Sequence, residues 1–329
     1  MIRESEFKAP WWLSNAHLQT IYSSVFRKVP ICQIRAEKIE LSDGDFIELN
    51  WLDEGEFDSS SPIFLLLHGL EGSVDSHYIR SMMHAAKEHG WRAVTMHFRS
   101  CGKELNRLPR SYHSGDTGDL GEVLKVIKAE YKDVPFLATG YSLGGNVLLK
   151  YLGEQGEKSL IDYAAAISVP FLLAPSSQRL DRGFSKAYRN RLLSELKDKV
   201  KRKFANDKVL EINMDDVDSI NTFFQFDQLF TAPLHGFKDA IDYYQKASSR
   251  QFLKSIRKPT LILHSADDPF MTKEVIPTPE EIADCVTLEL SQQGGHVGFL
   301  TGKYPWDTKF YVDERIPSWF EKRLYHEVE

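Results

Sequence analysis

Short, unbroken apolar runs alternate along this chain with longer stretches in which apolar residues recur every three or four positions. The runs are Ile63-Phe64-Leu65-Leu66-Leu67, Trp91 to Phe98, Pro135 to Thr139, Ala164 to Val169, Pro259 to His264 and Val286 to Leu290. A run that is apolar at every position predicts a strand covered on both faces, as in a parallel sheet flanked by helices. The periodic stretches predict helices over Ile79 to Glu88, Leu120 to Lys132, Gly144 to Gly153 and Gly236 to Ala247. Strands alternating with helices predict an α/β fold with a mostly parallel central sheet. Ahead of it, Ile39-Glu40-Leu41 leads through Ser42-Asp43-Gly44-Asp45 to Phe46-Ile47-Glu48-Leu49. The Asp-Gly dipeptide between those two segments predicts an antiparallel hairpin.

The rhythm breaks once. Between Pro170 and Pro233 there is no strand-like run. Instead there is a basic helical segment, Arg179 to Lys203, and then an aromatic one, Phe223-Phe224-Gln225-Phe226 with Phe230. This predicts a helical cap inserted after the strand near residues 164–169. The expected organisation is an N-terminal extension over 1–40, a core of 41–170 and 233–329, and a cap over 171–232.

At ~150 residues per domain, 329 residues suggest about two domains, or one with insertions. A chain 42% hydrophobic and 27% charged can build a core, which excludes disorder, collagen and coiled coil as whole-chain readings. Its net charge of −6 has the wrong sign for a nucleic-acid footprint. Cys32, Cys101 and Cys285 lie too far apart for a CxxC knuckle or a disulfide framework. They predict buried or idle thiols in a reducing compartment. Met1-Ile2-Arg3-Glu4-Ser5-Glu6 lacks the apolar stretch of a signal peptide, and Ile63 to Leu67 is about a quarter of a bilayer span. The expectation is a soluble, cytoplasmic protein.

Four segments carry candidate chemistry. Gly140-Tyr141-Ser142-Leu143-Gly144 matches G-x-S-x-G, directly after one strand-like run and before a helix. Chance alone supplies such a match in about one chain in ten of this length, and a glycine-rich helix cap is the plain alternative. The context favours a sharp strand-to-helix turn with Ser142 at its apex, where side chains two residues to either side would collide. His68-Gly69-Leu70-Glu71-Gly72 ends the strongest strand. A nucleophilic serine needs backbone N–H donors for its oxyanion, and Leu143 and Leu70 are the expected pair. His68 is expected to orient the loop.

Asp267-Asp268-Pro269-Phe270 follows the run Thr260 to His264, and an acid there is placed to orient a histidine. Successive residues point to opposite sides, so only one of the two carboxylates can do so. Asp268 is favoured because Pro269-Phe270-Met271 leads away from it, with Asp267 as a turn or capping residue. Gly294-Gly295-His296 follows the last run, and the glycine pair predicts a mobile loop carrying a general base. His17, His77, His84, His89, His113, His235 and His326 are left as surface or core residues.

The order Ser142, Asp268, His296 is the nucleophile–acid–base order of α/β-hydrolases. The chain resembles the YheT-type α/β-hydrolases in particular, a bacterial group with eukaryotic relatives among membrane-associated lipid hydrolases. The resemblance rests on Pro10-Trp11-Trp12-Leu13-Ser14-Asn15-Ala16-His17-Leu18-Gln19-Thr20, the Leu70 and Ser142 motifs, and Asn106 to Gly115. Phe226-Asp227 through Ala232-Pro233-Leu234-His235-Gly236-Phe237, the Asp268 motif and Gly295-His296 complete it. It implies an α/β-hydrolase fold and carboxylic-ester hydrolysis by Ser142, His296 and Asp268, without metal or cofactor. One departure is visible. Arg99-Ser100-Cys101-Gly102-Lys103-Glu104 has serine and lysine where such proteins more often show glycine.

The substrate implied is a small-molecule or lipid ester. Acyl transfer on the same triad and a non-catalytic hydrolase-fold binding protein are the rival readings. A metallohydrolase is more distant, because no HExxH motif is present. Arg179 to Lys203 holds ten Lys/Arg against three Asp/Glu, with Phe184, Tyr188, Leu192, Leu196 and Val200 every four residues. It predicts an amphipathic cap helix, or alternatively a basic surface for anionic lipid headgroups. Phe223, Phe224, Phe226 and Phe230 are expected either to line an acyl pocket or to form the cap's own core. Asn106 to Gly115 is expected to be a hydrogen-bonded loop, with substrate contact as the alternative.

Overall fold

The computed structural model describes residues 1–27, 29–205 and 214–325. His326 lies outside them. The chain opens with β1 (Ile2–Glu4) and α1 (Ala16–Phe26), then the hairpin β2 (Ile34–Glu40) and β3 (Phe46–Leu52). Next come β4 (Ile63–Leu67), α2 (His77–Glu88), β5 (Arg92–Met96), α3 (Thr117–Glu130), β6 (Phe136–Tyr141), α4 (Leu143–Gln155) and β7 (Tyr163–Ile167).

The cap helices follow: α5 (Leu173–Leu180), α6 (Ser185–Lys203), α7 (Met214–Ser219) and α8 (Phe223–Phe226). A π-helical turn (Asp227–Thr231) runs on into α9 (Ala232–Leu234), and α10 (Ala240–Ala247) leads back to the sheet. The chain closes with β8 (Thr260–Ser265), β9 (Val286–Ser291), the short pair β10 (Leu300–Thr301) and β11 (Lys309–Phe310), and α11 (Tyr311–Tyr325).

Among the described residues nine strands form one sheet in the order β1-β9-β8-β7-β6-β4-β5-β3-β2. The hairpin β2–β3 and the β3–β5 pair are antiparallel, and the other pairs are parallel. Side chains alternate between sheet faces, so the uniformly apolar β4 serves two cores. Ile63, Leu65 and Leu67 pack with Leu120, Val123 and Leu148 of α3 and α4. Phe64 and Leu66 pack with Ile79 and Met82 of α2 and with Ile316 and Phe320 of α11. The six strand-like runs are strands and the hairpin forms, with Gly44 at φ +84 in its turn.

Three expectations change. The first residues are a strand of the sheet, since β1 lies parallel to β9 with Ile2 opposite Leu288. The basic segment is two helices, because the chain turns at Gly183, φ +54. The helix expected from Gly236 begins at Ala240, where the Asp239 side chain accepts from the Asp242 N–H at 2.8 Å. Among the described residues no helix is long and apolar enough to cross a membrane.

Candidate active site

Strand β6 runs straight into α4, and Ser142 takes the turn between them at φ 51, ψ −116. An L-residue pays for that conformation in steric strain, and glycines on both sides make it possible. A Cβ on Gly140 would sit 2.5 Å from the Gly144 carbonyl, and one on Gly144 would sit 2.5 Å from the carbonyls of Leu67 and His68. The Ser142 N–H is held by the Ile167 carbonyl of β7 at 2.8 Å. Leu143 is the first residue of α4, whose opening N–H groups have no acceptor within the helix.

The carboxyl ends of β8 and β9 bring the acid and the histidine to the same place. His296 Nε2 lies 3.0 Å from Ser142 Oγ, and His296 Nδ1 lies 2.8 Å from Asp268 Oδ2. Asp267 turns the other way and accepts the Gly295 N–H at 3.0 Å. The two neighbouring acids thus divide as their alternation predicts, one to the ring and one to the backbone.

The histidine loop is not the mobile element its glycines suggest. Thr20 Oγ1 accepts the His296 N–H at 2.9 Å, Ser168 Oγ accepts the Val297 N–H at 3.0 Å, and the Ser265 hydroxyl donates to the Gly295 carbonyl at 2.7 Å. The glycines serve close approach instead. A Cβ on Gly295, φ +61, would meet the Ala16 carbonyl of α1 at 2.5 Å. Gln19 completes the seam, bonding both the N–H and the carbonyl of Leu300. The motif Trp11 to Thr20 is therefore a buttress for the histidine loop. Its position near the N-terminus carried no sign of that, because the contact spans some 275 residues of sequence.

On the far side of Ser142, β4 ends at a tight turn, Gly69 to Gly72, closed by the Gly72 N–H on the Gly69 carbonyl at 3.0 Å. His68 is buried, accepts the Phe98 N–H at 3.2 Å and lies 2.7 Å from the Gly69 carbonyl through Nδ1. Burial pushes its pKa down to about 3, so it is a neutral strut. Leu70 faces the cavity beside Ser142 and Leu143. Glu71 follows at φ 53. Its backbone N–H donates to the Tyr112 hydroxyl at 2.9 Å, and its carboxylate accepts from that hydroxyl at 2.6 Å and from Lys199 of α6 at 2.8 Å.

Ser142, His296, Leu70 and Leu143 open into a cavity of ≈ 1160 Å³, open solvent at its mouth included, roofed by the cap. Phe223, Phe226 and Phe230 line it and also pack with Leu193, Leu196 and Val217, so the aromatic segment is wall and cap core together. Phe224 is neither, being 42% exposed on the outside. Leu193 rather than Leu192 is the buried member of its pair on α6, and Phe184 is 56% exposed. Lys199, on the inner side, is 6% exposed.

The segment Asn106 to Gly115 is a hydrogen-bonded loop that also borders the cavity. Asn106 bonds Asp45 and the carbonyls of Leu108 and Arg110, while Ser111 to Ser114 line the cavity. Lys203 reaches the Asn106 side chain and the Arg110 carbonyl, and burial pushes its pKa down to about 8. Ser100, in the departing segment, sits at φ 62, a conformation glycine adopts freely, and its hydroxyl bonds Asn106. Cys101 lies against Lys199 at 3.1 Å, and burial pushes its thiol up to about 11.

Two contributors stood in sequence motifs without a role of their own. Phe270 stacks on the His296 ring, centroids 3.9 Å apart and planes 6° apart. Asp227 places a carboxylate in the apolar cavity wall. Among the described residues no three His, Cys, Asp or Glu side chains gather as a metal site would need.

The family model described as the alpha/beta hydrolase fold matches residues 62–303. YheT of Escherichia coli (strain K12) is 40% identical over 323 residues, 97% of this chain and 94% of its own. Phospholipase ABHD3 of Mus musculus is 34% identical over 334 residues, 99% of this chain and 80% of its own. Among solved structures, the Pyrococcus furiosus esterase Pf2001 superposes with a TM-score of 0.55 at 18% identity, over 90% of this chain and 98% of its own, a likeness of fold.

Proposed function

This chain belongs to the α/β-hydrolase family, in its YheT group, and is an ester hydrolase; we propose that it cleaves carboxylic esters with an apolar acyl group through Ser142, His296 and Asp268. The observation that carries this is the unbroken hydrogen-bonded line Ser142–His296–Asp268, whose Ser142 and His296 line a cavity of mostly apolar side chains.

His296 Nε2 takes the Ser142 proton as Oγ attacks the acyl carbon. The oxyanion that forms is met by the Leu143 and Leu70 N–H groups, at the positive end of α4. Asp268 holds the imidazole with Nδ1 protonated and stabilises the imidazolium. His296 then gives its proton to the departing alkoxide, which breaks the ester C–O bond and leaves an acyl-Ser142. Water, deprotonated by His296, releases the acid and restores Ser142. Phe223, Phe226 and Phe230 receive the acyl chain, which fits short- to medium-chain or lipid-like esters. The phospholipase name of a relative accords with a lipid ester.

The test is covalent labelling with a fluorophosphonate probe, read by intact mass. One adduct on the wild type and none on Ser142→Ala is the expected result, followed by turnover of p-nitrophenyl esters of graded chain length. A folded wild type that takes no adduct would overturn the reading in favour of a binding protein. Added alcohol acceptors in the ester assay separate hydrolysis from acyl transfer.

A second reading concerns access. Phe184 packs on His17, and beside them α1 exposes Leu18, Val25 and Phe26, while all the basic residues of α6 but Lys199 are at least partly exposed. With eight Lys/Arg against two Asp/Glu in α6 itself, an apolar face beside a basic one suits an anionic lipid surface. Salt-sensitive sedimentation with anionic vesicles is expected, and no sedimentation at low salt rules it out.

A further inference from the structure

Asp227 opens the π-helical turn that follows α8, a rare geometry frequently found at functional sites. Phe226, Asp227, Phe230 and Thr231 share the face of this stretch that lines the cavity. The carboxylate accepts from the Thr231 hydroxyl at 2.6 Å through Oδ1 and from the Tyr244 hydroxyl at 2.7 Å through Oδ2. Neither partner is charged, and no cation of the described residues is paired with it. Asp227 is half-buried and lines the cavity.

A half-buried carboxylate with only neutral donors is costly, and a carboxamide could hold the same two hydroxyls without carrying a charge. The surroundings point to what would offset that cost. The Phe226 and Phe230 rings lie 5.3 Å apart, as do those of Tyr243 and Tyr244, and all four border the cavity. A carboxylate among aromatic faces attracts an organic cation by charge and by ring quadrupole together. Lys203 and Lys199, the latter paired with Glu71, border the same cavity from α6, and the Asp227 wall carries a carboxylate with no such partner among the described residues.

We propose that Asp227, Tyr244 and the rings beside them form a subsite for an alkylammonium group carried by the ester substrate. The inference rests on the ester-hydrolase reading, and it narrows the substrate class to esters with an amino-bearing chain. Burial pushes the Asp227 carboxyl up to about 6, so it is ionised at neutral pH and ready for a cation. Beside it Tyr243, Tyr244, His113 and His235 stay neutral there, while Lys199 and Lys203 line the cavity from α6. Burial raises Tyr243 and Tyr244 and lowers His113 and His235, and α5 offers only Ser176 and Ser177.

The experiment is calorimetric binding of n-hexylammonium and n-hexanol to the intact protein at pH 7.5 and pH 5. Wild type should bind hexylammonium at least tenfold more tightly than hexanol at pH 7.5. That affinity should fall about tenfold at pH 5, where roughly one carboxylate in ten remains ionised, with hexanol unaffected. Asp227→Asn should bind the two alike. Equal or tighter binding of hexanol by wild type at pH 7.5 overturns the proposal, as does an unchanged preference in the variant. If the variant fails to fold, the two wild-type comparisons decide. Binding is read without turnover, so failure of the serine to label is a separate outcome.

Discussion

The Lys199 ammonium on α6 lies 2.8 Å from the Glu71 carboxylate, and Glu71 directly follows Leu70. The pair is buried on both sides, at 8% and 6% side-chain exposure. Glu71 occupies a left-handed conformation, which costs a non-glycine residue about 1–2 kcal/mol. Tyr112 and Lys199 hold it there. The cap is thereby tied to the turn that carries Leu70, the proposed oxyanion donor.

Lys199→Met leaves the Glu71 charge buried without its cation. It should cost about 3–5 kcal/mol in denaturant unfolding and slow fluorophosphonate labelling of Ser142. Adding Glu71→Gly should recover most of both, because glycine takes positive φ without strain and carries no charge. Wild-type labelling by Lys199→Met would show that the turn stands without the cap.

The two neighbouring acids should separate in kinetics. Asp268→Asn should lower kcat by about four orders of magnitude, since the imidazole loses its orienting charge and its tautomer. Asp267→Ala should cost about 1–2 kcal/mol of stability through the Gly295 N–H, with a loss in kcat of less than tenfold. The reverse ranking would exchange their roles.

Phe230 and Phe224 should separate wall from surface. Phe230 is 1% exposed, so Phe230→Ala should cost about 3–5 kcal/mol and shift preference toward longer or bulkier acyl chains. Phe224→Ala should stay within about 0.5 kcal/mol with unchanged preference. Unchanged preference in Phe230→Ala would make that residue core alone.

Stability should carry the mark of Asp227 across acidic pH. Its carboxyl is raised from 3.8 to about 6, so the folded chain binds that proton more tightly than the unfolded one. The favourable contribution is full below about pH 4 and is lost as pH rises through about 6. The melting temperature of wild type relative to Asp227→Asn should therefore fall over that window. A constant difference from pH 4 to pH 7 would mean that the carboxyl is not buried as described.

Much of the fold was legible because its signals are local. A run such as Ile63 to Leu67 must be covered on both faces wherever it sits, and Gly140 and Gly144 announce a turn that no larger residue fits. The line Ser142, Asp268, His296 followed from each residue's place after its own strand. The misreadings share one cause. Ile2–Glu4 is polar and three residues long, too little to declare a strand, yet β9 offers it an edge. Gly294-Gly295 looks like freedom until α1 is seen to press against it.

The sequence alone thus determined the sheet, the sharp turn at Ser142 and the order of the three side chains proposed to react, since each depends on the sterics and hydrophobicity of neighbours along the chain. Tertiary structure alone decided which face of α6 is buried, that Lys199 meets Glu71, that Thr20 and Phe270 hold His296, and that Asp227 looks into the cavity. Those are contacts across tens to hundreds of residues. A side chain's partners and its cost of burial are properties of the space it enters, which no local pattern encodes.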